Sequence, residues 1–191
     1  MTGTGLRAVA NPARLFLSER AAGTPGSAVL CCVEGSRPIL VEVQALVSTS
    51  TYGNARRMAI GVDPSRLSLL LAVLEKRAGL SLAGEDVYVN IAGGMTVDEP
   101  AADLSVVAAV ASSVRNRALA HKTAVLGEVG LSGEIRGIPQ APLRIREAVQ
   151  MGFNRIVIPF ANVAPDSAAH NDCCELVGVR TLGDAHDNLI A

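Results

Sequence analysis

The sequence is poor in lysine and in charge of either sign. Lys76 and Lys122 are the only lysines, and the formal net charge is −1 with charged residues at 18% of the chain. The molecule as a whole therefore has no strong field to attract nucleic acid or an anionic membrane, and any such contact must come from a local patch. An amine that could act as a catalytic base is available at two positions only.

The four cysteines lack the spacing of a metal site. They form two adjacent pairs, Cys31-Cys32 and Cys173-Cys174, without the two-residue gap that lets a zinc knuckle close around a metal. Neighbouring residues of a strand point to opposite faces, so we expect reduced, mostly buried thiols. Thiols of this kind fit a cytoplasmic protein.

Membrane and nucleotide signals are absent as well. The opening Met-Thr-Gly-Thr-Gly has no basic start or apolar core, and no uninterrupted apolar run reaches membrane-spanning length. Neither lysine stands in a Gly-x-x-x-x-Gly-Lys-Ser/Thr loop, so we expect no ATPase site in this chain. The sequence therefore predicts a soluble cytoplasmic protein with no membrane partner.

The chain does contain alternating strand and helix patterns. Residues 1–26 have few periodic apolar positions and end in turn formers, which predicts a tail or linker before one domain formed by residues 27–191. Two β-branched runs around the turn at 35–38 predict an antiparallel strand pair. Strands and helices alternate after residue 63, so we predict an α/β or α+β fold with a sheet covered by helices.

Three helices have recognisable boundaries. Asp63 and Pro64 provide an N-cap and a first-turn proline for a helix that ends at Gly79. Asp98 is the predicted N-cap of a second helix, within "VDEPAADLSVVAAVASS" at 97–113. A third is predicted from Pro142 to Met151.

The segments "DVYVNIAGG", "DEPAAD", "GEVGLSGEIRGI" and "GFNRIVIP" follow one another along the chain. Their order and spacing resemble the proteolytic domain of the Lon protease family. With "NPARLFLSER", "PILVEVQALVS" and "NARRMAIGVD" added, the chain is most similar to the C-terminal Lon-like domain of the RadA (Sms) family of bacterial DNA repair proteins. The resemblance implies a Lon proteolytic-domain fold, with a mixed sheet covered by helices and a core like domain 2 of ribosomal protein S5.

Lon-type peptidases use a serine and a lysine, and this chain has neither at the matching positions. The family carries Asp-Gly-Pro-Ser-Ala-Gly where this chain has Asp98–Asp103, so Ala101 replaces the nucleophile and Asp103 replaces a glycine. The lysine position falls on or near Pro142, and no lysine occurs from 123 to 191. Arg144 cannot act as the base, because a guanidinium stays protonated. We therefore predict no catalytic residues.

Arginines are the remaining candidates for function, as contacts to DNA phosphates that do not depend on base sequence. The candidate DNA-binding residues are Arg56, Arg57, Arg66, Arg144 and Arg146. A solvated loop or an ion pair between subunits is an alternative role for the loop arginines. A further cationic group at the end of the second helix has a helix-dipole role as its alternative; it consists of Arg115, Arg117 and Lys122.

The resemblance implies a catalytically inactive domain of a DNA repair and recombination ATPase that forms a ring, usually a hexamer, and promotes branch migration. The domain would be an oligomerisation scaffold and a DNA-contacting platform, with single-stranded or branched DNA, further copies of the chain and the recombinase machinery as partners. The full-length protein would be a DNA-dependent ATPase or helicase, with ATP, Mg and Zn bound in regions before residue 1 and no cofactor in this chain.

Two alternatives remain open at this point. One is an active peptidase with a non-standard nucleophile. The other is a protein-interaction module without DNA binding, similar to the Lon-like domains attached to chelatase-type ATPases.

Overall fold

The computed structural model of the chain describes residues 23–51, 53–163 and 174–189. Most of the predicted tail, residues 1–22, and one predicted thiol, Cys173, lie outside these residues. The first described strand begins at Ser27. Within the described residues no helix has the length and apolar character needed to cross a membrane.

The main sheet has four strands in the order β1-β2-β4-β3. Its strands are β1 (Ser27–Glu34), β2 (Arg37–Thr49), β3 (Arg57–Ile60) and β4 (Glu85–Ile91). β1 and β2 form the predicted antiparallel pair, and β2 is also antiparallel to β4. β3 is parallel to β4 at the sheet edge, and the sequence patterns do not indicate this strand. Four residues are too few to display the alternation that identifies a strand.

A second layer of helices covers the main sheet. The helices are α1 (Pro64–Ala78), α2 (Asp103–Arg115), α3 (Ala141–Gln150) and α4 (Leu182–Leu189). α2 packs on β1 and β2 and is buried from Asp103 to Ser112, so it forms the centre of the core. α1 contacts α2 and α4 on one side, and α3 packs against β1 and β2.

Two smaller sheets complete the described fold. Three parallel strands lie in the order β5-β8-β9, and β6 pairs with β7 as a short hairpin. Their bounds are β5 (Thr123–Val125), β6 (Glu128–Val129), β7 (Ile135–Arg136), β8 (Arg155–Pro159) and β9 (Glu175–Val179). The prediction of a mixed α/β architecture with a sheet covered by helices is therefore confirmed.

The first predicted helix start is confirmed and the second is wrong. The Asp63 carboxylate accepts a hydrogen bond from the Arg66 N–H at 2.7 Å, and α1 ends at Gly79, whose φ of 64° is left-handed. Asp98 does not cap α2, because a 3-10 turn at Pro100–Ala102 precedes that helix and no side chain caps either element. Proline at the first position of this turn sets the backbone direction without a capping side chain.

Candidate functional site

Ala101 occupies the position of the family's nucleophile, and its side chain is 1% exposed. It lies in the 3-10 turn before α2. The Ala101 carbonyl accepts a hydrogen bond from the Gly127 N–H at 3.0 Å, and the Gly127 carbonyl accepts one from the Leu104 N–H at 3.0 Å. The turn is thus tied to the segment that follows β5. A buried methyl group offers no atom that could attack a carbonyl.

Arg144 points into the protein, so the prediction that it contacts DNA is wrong. Its side chain is 1% exposed although it lies on the first turn of α3. The guanidinium donates to the Pro139 carbonyl at 3.0 Å and to the Cys31 carbonyl at 2.7 Å. Two further bonds, of 2.7 and 2.6 Å, reach the two carboxylate oxygens of Glu99. A buried arginine with its donors used in this way is not available to a phosphate.

Glu99 completes this buried ion pair from the segment just before Ala101. Its side chain is 23% exposed, and one carboxylate oxygen also accepts the Val33 N–H of β1 at 3.1 Å. A bidentate contact, with two parallel hydrogen bonds between guanidinium and carboxylate, is the strongest geometry for such a pair. The Glu99–Arg144 pair therefore fastens the segment before α2 to both β1 and α3.

A second ion pair lies on the other side of Ala101, between Asp103 and Arg66. Asp103 is 3% exposed and accepts hydrogen bonds from both Nε and Nη2 of Arg66, the first at 2.8 Å. It also accepts the Val129 N–H at 3.0 Å, while Arg66 donates to the Val129 carbonyl at 3.1 Å. The hydrogen bond to Asp103 raises the pKa of Arg66. Arg66 is thus engaged inside the site, although its side chain remains 35% exposed.

Serine offers no replacement nucleophile on α2, because each serine of that helix has a structural partner. The Ser105 hydroxyl donates to the Val125 carbonyl. Ser112 accepts the Gly26 N–H at 2.9 Å and donates to the Arg117 carbonyl at 2.6 Å. The Ser113 oxygen accepts the Val47 N–H at 2.9 Å.

Cysteine and lysine do not restore the chemistry either. Cys31 and Cys32 are free and buried, as predicted, and burial raises their pKa to about 12 and about 11, so both remain thiols at neutral pH. Cys174 is free and partly exposed. Pro142, at or near the lysine position, is exposed on α3. Among the described residues no group of His, Cys, Asp and Glu is arranged to hold a metal ion.

Two surface grooves flank the segment Val97–Glu99. One, of about 280 Å³, is lined by Asp63, Arg66, Asp98, Asp103 and Glu128 among others. The other, of about 420 Å³, is lined by Cys32, Glu34 and Met95 in addition to the segment itself. The charged residues in both linings are mainly carboxylates, and the one cation that lines the first groove, Arg66, is already paired. Their charge does not suit an anionic ligand.

The other predicted DNA contacts lie on two different elements, with Arg56 and Arg57 at the start of β3 and Arg146 on α3. Arg57 is exposed and donates from its guanidinium to the carbonyls of Glu85 and of Leu82, the latter at 3.0 Å. Arg56 is also exposed, and its backbone N–H bonds the Asp86 carboxylate at 2.7 Å, which lowers the pKa of Asp86. Arg146 is exposed on α3. The five candidate arginines therefore do not form one surface.

Sequence reasoning missed both ion pairs, and for each a signal was present. The residues of the two pairs are 45 and 37 positions apart, so no local pattern joins them. Arg144 does, however, occur at helical spacing with Ala141, Ile145 and Ala148, which form the buried face of α3. Asp103 stands where the peptidases have glycine, and a charged residue at such a point requires a partner.

Comparisons with known proteins show which proteins this chain is similar to. The family model described as subunit ChlI of Mg-chelatase matches residues 57–162. The chain is 47% identical to the DNA repair protein RadA of Halalkalibacterium halodurans and 48% identical to that of Escherichia coli K12, in each case over 97% of this chain and 40% of the relative. It is 46% identical to the RadA of Bacillus subtilis over the same shares.

The chain spans about two fifths of the length of the curated relatives it matches. The identities of 46–48% confirm the resemblance to RadA over 97% of this chain. The chain belongs to the family described by the model for subunit ChlI of Mg-chelatase, and it is a homologue of the RadA DNA repair proteins.

Proposed function

We propose that this chain is a domain of a DNA repair ATPase and has no peptidase activity, serving as a scaffold for assembly and as a platform that contacts DNA. The observation that supports the absence of peptidase activity is the Glu99–Arg144 ion pair, which is formed by the segment just before Ala101. It places a permanently protonated group next to the nucleophile position and uses its hydrogen-bond donors for folding. The names of the relatives support the role in DNA repair.

The chemistry supports an inactive site quantitatively. Removing the covalent nucleophile of a serine hydrolase lowers turnover by roughly 10⁶-fold. This site lacks the hydroxyl and also an amine that could accept its proton. Both losses act on the same step, so the remaining geometry around Ala101 contributes no measurable hydrolysis.

Labelling with a fluorophosphonate probe, together with casein digestion, tests this part. We expect no labelling of the chain and no digestion, with an active serine peptidase as positive control. The Ala101→Ser variant should also stay unlabelled, because no base is present to remove the hydroxyl proton. Labelling of any serine in the unaltered chain would establish the non-standard peptidase instead.

DNA contact is proposed to involve the exposed arginines of the loop before β3. A near-neutral domain binds DNA weakly as a monomer, but identical patches in a ring act together and raise the affinity by about 10²-fold or more. We expect Arg56→Ala with Arg57→Ala to weaken binding to all DNA sequences alike in a titration at low salt. The charge-matched control is Arg37→Ala with Lys76→Ala, which removes two exposed cations from other surfaces. If the two double variants bind DNA equally well, Arg56 and Arg57 do not contribute to the DNA interface.

A protein-interaction module without DNA binding is the second candidate. The match to a chelatase subunit model favours it, because that family description does not mention DNA. Gel shifts without binding at low salt, combined with stable oligomers by light scattering, would select this candidate.

A further inference from the structure

We propose that two copies of this chain join edge to edge through β3, so that their four-stranded main sheets form one continuous sheet. The contact rests on the scaffold role proposed above and names one surface that would perform it. It is isologous, which means that each copy contributes the same residues, and it joins copies in pairs. It is therefore additional to the head-to-tail contacts that close a ring.

β3 is an edge strand whose outer backbone groups are unpaired. In the part of the chain that the structure describes, its one neighbouring strand is β4. The Val87 N–H of β4 bonds the Arg56 carbonyl at 2.8 Å, so the backbone groups of the even-numbered residues face β4. Those of Arg57 and Ala59 point away from the sheet, and no described residue bonds them. The open edge ends at Gly61, whose carbonyl is bonded by the loop after β4.

The opposite edge of the main sheet, β1, is covered by side chains. Its Val33 N–H is bonded by the Glu99 carboxylate at 3.1 Å. Its Cys31 carbonyl is bonded by the Arg144 guanidinium at 2.7 Å. Proteins cover or block exposed edges because an open edge is a template for a further strand. This fold covers one edge of the sheet and leaves the other open, which indicates that the open edge has a partner.

The side chains of β3 do not block its edge. The guanidinium of Arg57, the one charged residue of the strand, donates to the carbonyls of Glu85 and of Leu82, the latter at 3.0 Å, and is thereby drawn toward β4. The strand contains no proline, and all four of its residues are at least partly exposed. Met58 and Ile60 are 53% and 56% exposed on one face of the sheet.

Twofold symmetry gives a register in which the outer groups of the two β3 strands match. With Met58 on the twofold axis, Arg57 of each copy faces Ala59 of the other. Each of these two pairs exchanges both N–H and carbonyl groups, so all the outer donors and acceptors of the strand find partners. The two Met58 residues then form a non-hydrogen-bonded pair with Cα atoms about 4.5 Å apart. Their thioether side chains, exposed in one copy, pack against each other.

The arginines at the start of β3 do not oppose this pairing. In the same register Arg56 of one copy lies beside Ile60 of the other, so the two Arg56 residues are four positions apart, or about 13 Å along the strand. That separation exceeds the Debye length of about 8 Å at physiological salt, and their repulsion is largely screened. The Arg57 guanidinium is held by carbonyls of its own copy.

Disulfide cross-linking between copies in a glutathione redox buffer tests this register. The test variant is Met58→Cys. The matched control is Ile60→Cys, on the same strand and face and with nearly the same exposure. Both variants also carry Cys173→Ser and Cys174→Ser, so that the remaining natural thiols are buried. Thermal melting under reducing conditions confirms that both variants fold.

We expect Met58→Cys to form disulfide-linked pairs roughly tenfold or more faster than Ile60→Cys, because pairing makes the reaction effectively intramolecular. Two cysteines at position 58 would have Cα atoms about 4.5 Å apart, within the distance that a disulfide spans. Two cysteines at position 60 would be about 13 Å apart, which is too far to be bridged.

Amide hydrogen exchange followed by NMR measures the same contact without a substitution. At high protein concentration the N–H groups of Arg57 and Ala59 should exchange several-fold more slowly than after dilution, because pairing bonds them. The N–H groups of Met58 and Ile60, which face β4 within each copy, should exchange at the same rate at both concentrations.

Equal cross-linking of the two cysteine variants, or exchange at Arg57 and Ala59 that does not depend on concentration, would overturn the edge contact. If light scattering nevertheless shows oligomers of the unaltered chain, the scaffold role stands and β3 is the wrong surface. If the unaltered chain stays monomeric and neither variant cross-links, both the edge contact and the scaffold role are wrong.

Discussion

Arg144 shows how much a single buried arginine can contribute to the packing of this fold. Arg144 contributes four hydrogen bonds that join β1, α3 and the segment before α2. It does so because a planar cation with five donors can form all four bonds at once, whereas an ammonium group has only three donors. Arg144 therefore acts as a structural tie between these three parts of the fold.

This role predicts a stability cost when Glu99 loses its charge. Glu99→Gln leaves the buried Arg144 guanidinium without its counter-charge, and breaking such a pair costs about 3–5 kcal/mol. The matched control is Glu175→Gln, because Glu175 pairs with Arg155 but is 64% exposed; exposed pairs contribute under about 1 kcal/mol. Urea unfolding of both variants gives the comparison. Equal losses would show that the Glu99 pair is not a structural tie.

Sequence alone identifies the residue types at this site but not how their side chains are oriented. The absence of serine at 101 and of lysine after 122 follows from the order of residues and the family resemblance. The direction in which the Arg144 side chain points depends on how α3 is rotated about its axis relative to β1. The partner of Asp103, Arg66, lies 37 residues earlier, in α1. Contacts of that separation arise only when the core assembles, so a one-dimensional pattern does not specify them.

At the scale of elements, the connection from β3 into α1 depends on a glycine. Gly61 has a left-handed φ of 78°, its carbonyl accepts the Val97 N–H at 2.8 Å, and a Cβ there would lie 2.3 Å from the Met95 carbonyl oxygen. The turn thus brings the loop that carries Asp98 and Glu99 against the edge of the main sheet. Sequence patterns found α1 and its caps, because those signals are local, but not β3, which is defined by its partner strand.

Adding a methyl group at Gly61 should disturb this connection. Gly61→Ala combines left-handed strain of about 1–2 kcal/mol with overpacking of about 1–3 kcal/mol, since the carbonyl it meets is backbone. Gly84→Ala is the matched control, because Gly84 has nearly the same φ, 79°, and open space around the added Cβ. In thermal unfolding, the melting temperature of Gly61→Ala should be well below that of Gly84→Ala. Similar melting temperatures would mean that the loop at Met95 shifts to accommodate the added methyl group without a loss of stability.

At the scale of the whole molecule, part of one face of the main sheet, formed by β2, β3 and β4, is left uncovered by the described helices. Along β2, Val43 and Ala45 point toward α2 and are buried, while Leu46 is 60% exposed on the opposite face. Met58 and Ile60 on β3 extend the same exposed apolar surface at 53% and 56%. Surfaces of this kind mark contacts between proteins, and in the proposed scaffold the partner is a second copy of the chain.

A charge placed on this face should prevent self-association. We expect Leu46→Glu to lower the mass measured by light scattering from that of the oligomer toward that of one chain, because an unpaired carboxylate would be buried in the interface. Leu69→Glu is the control, since Leu69 is 45% exposed on α1 and away from the sheet face. An oligomer unaffected by Leu46→Glu, or one lost equally in both variants, would place the subunit contact elsewhere.

The Glu99–Arg144 pair also limits which substitutions could build a serine–lysine pair at this site. A serine–lysine pair at this site would need a hydroxyl at position 101 and a neutral amine nearby, yet a lysine introduced at position 144 would meet the Glu99 carboxylate, which keeps an ammonium protonated. Removing Glu99 first would strand a cation in the interior. Each single substitution toward such a pair is therefore expected either to leave the site without a neutral amine or to weaken the fold.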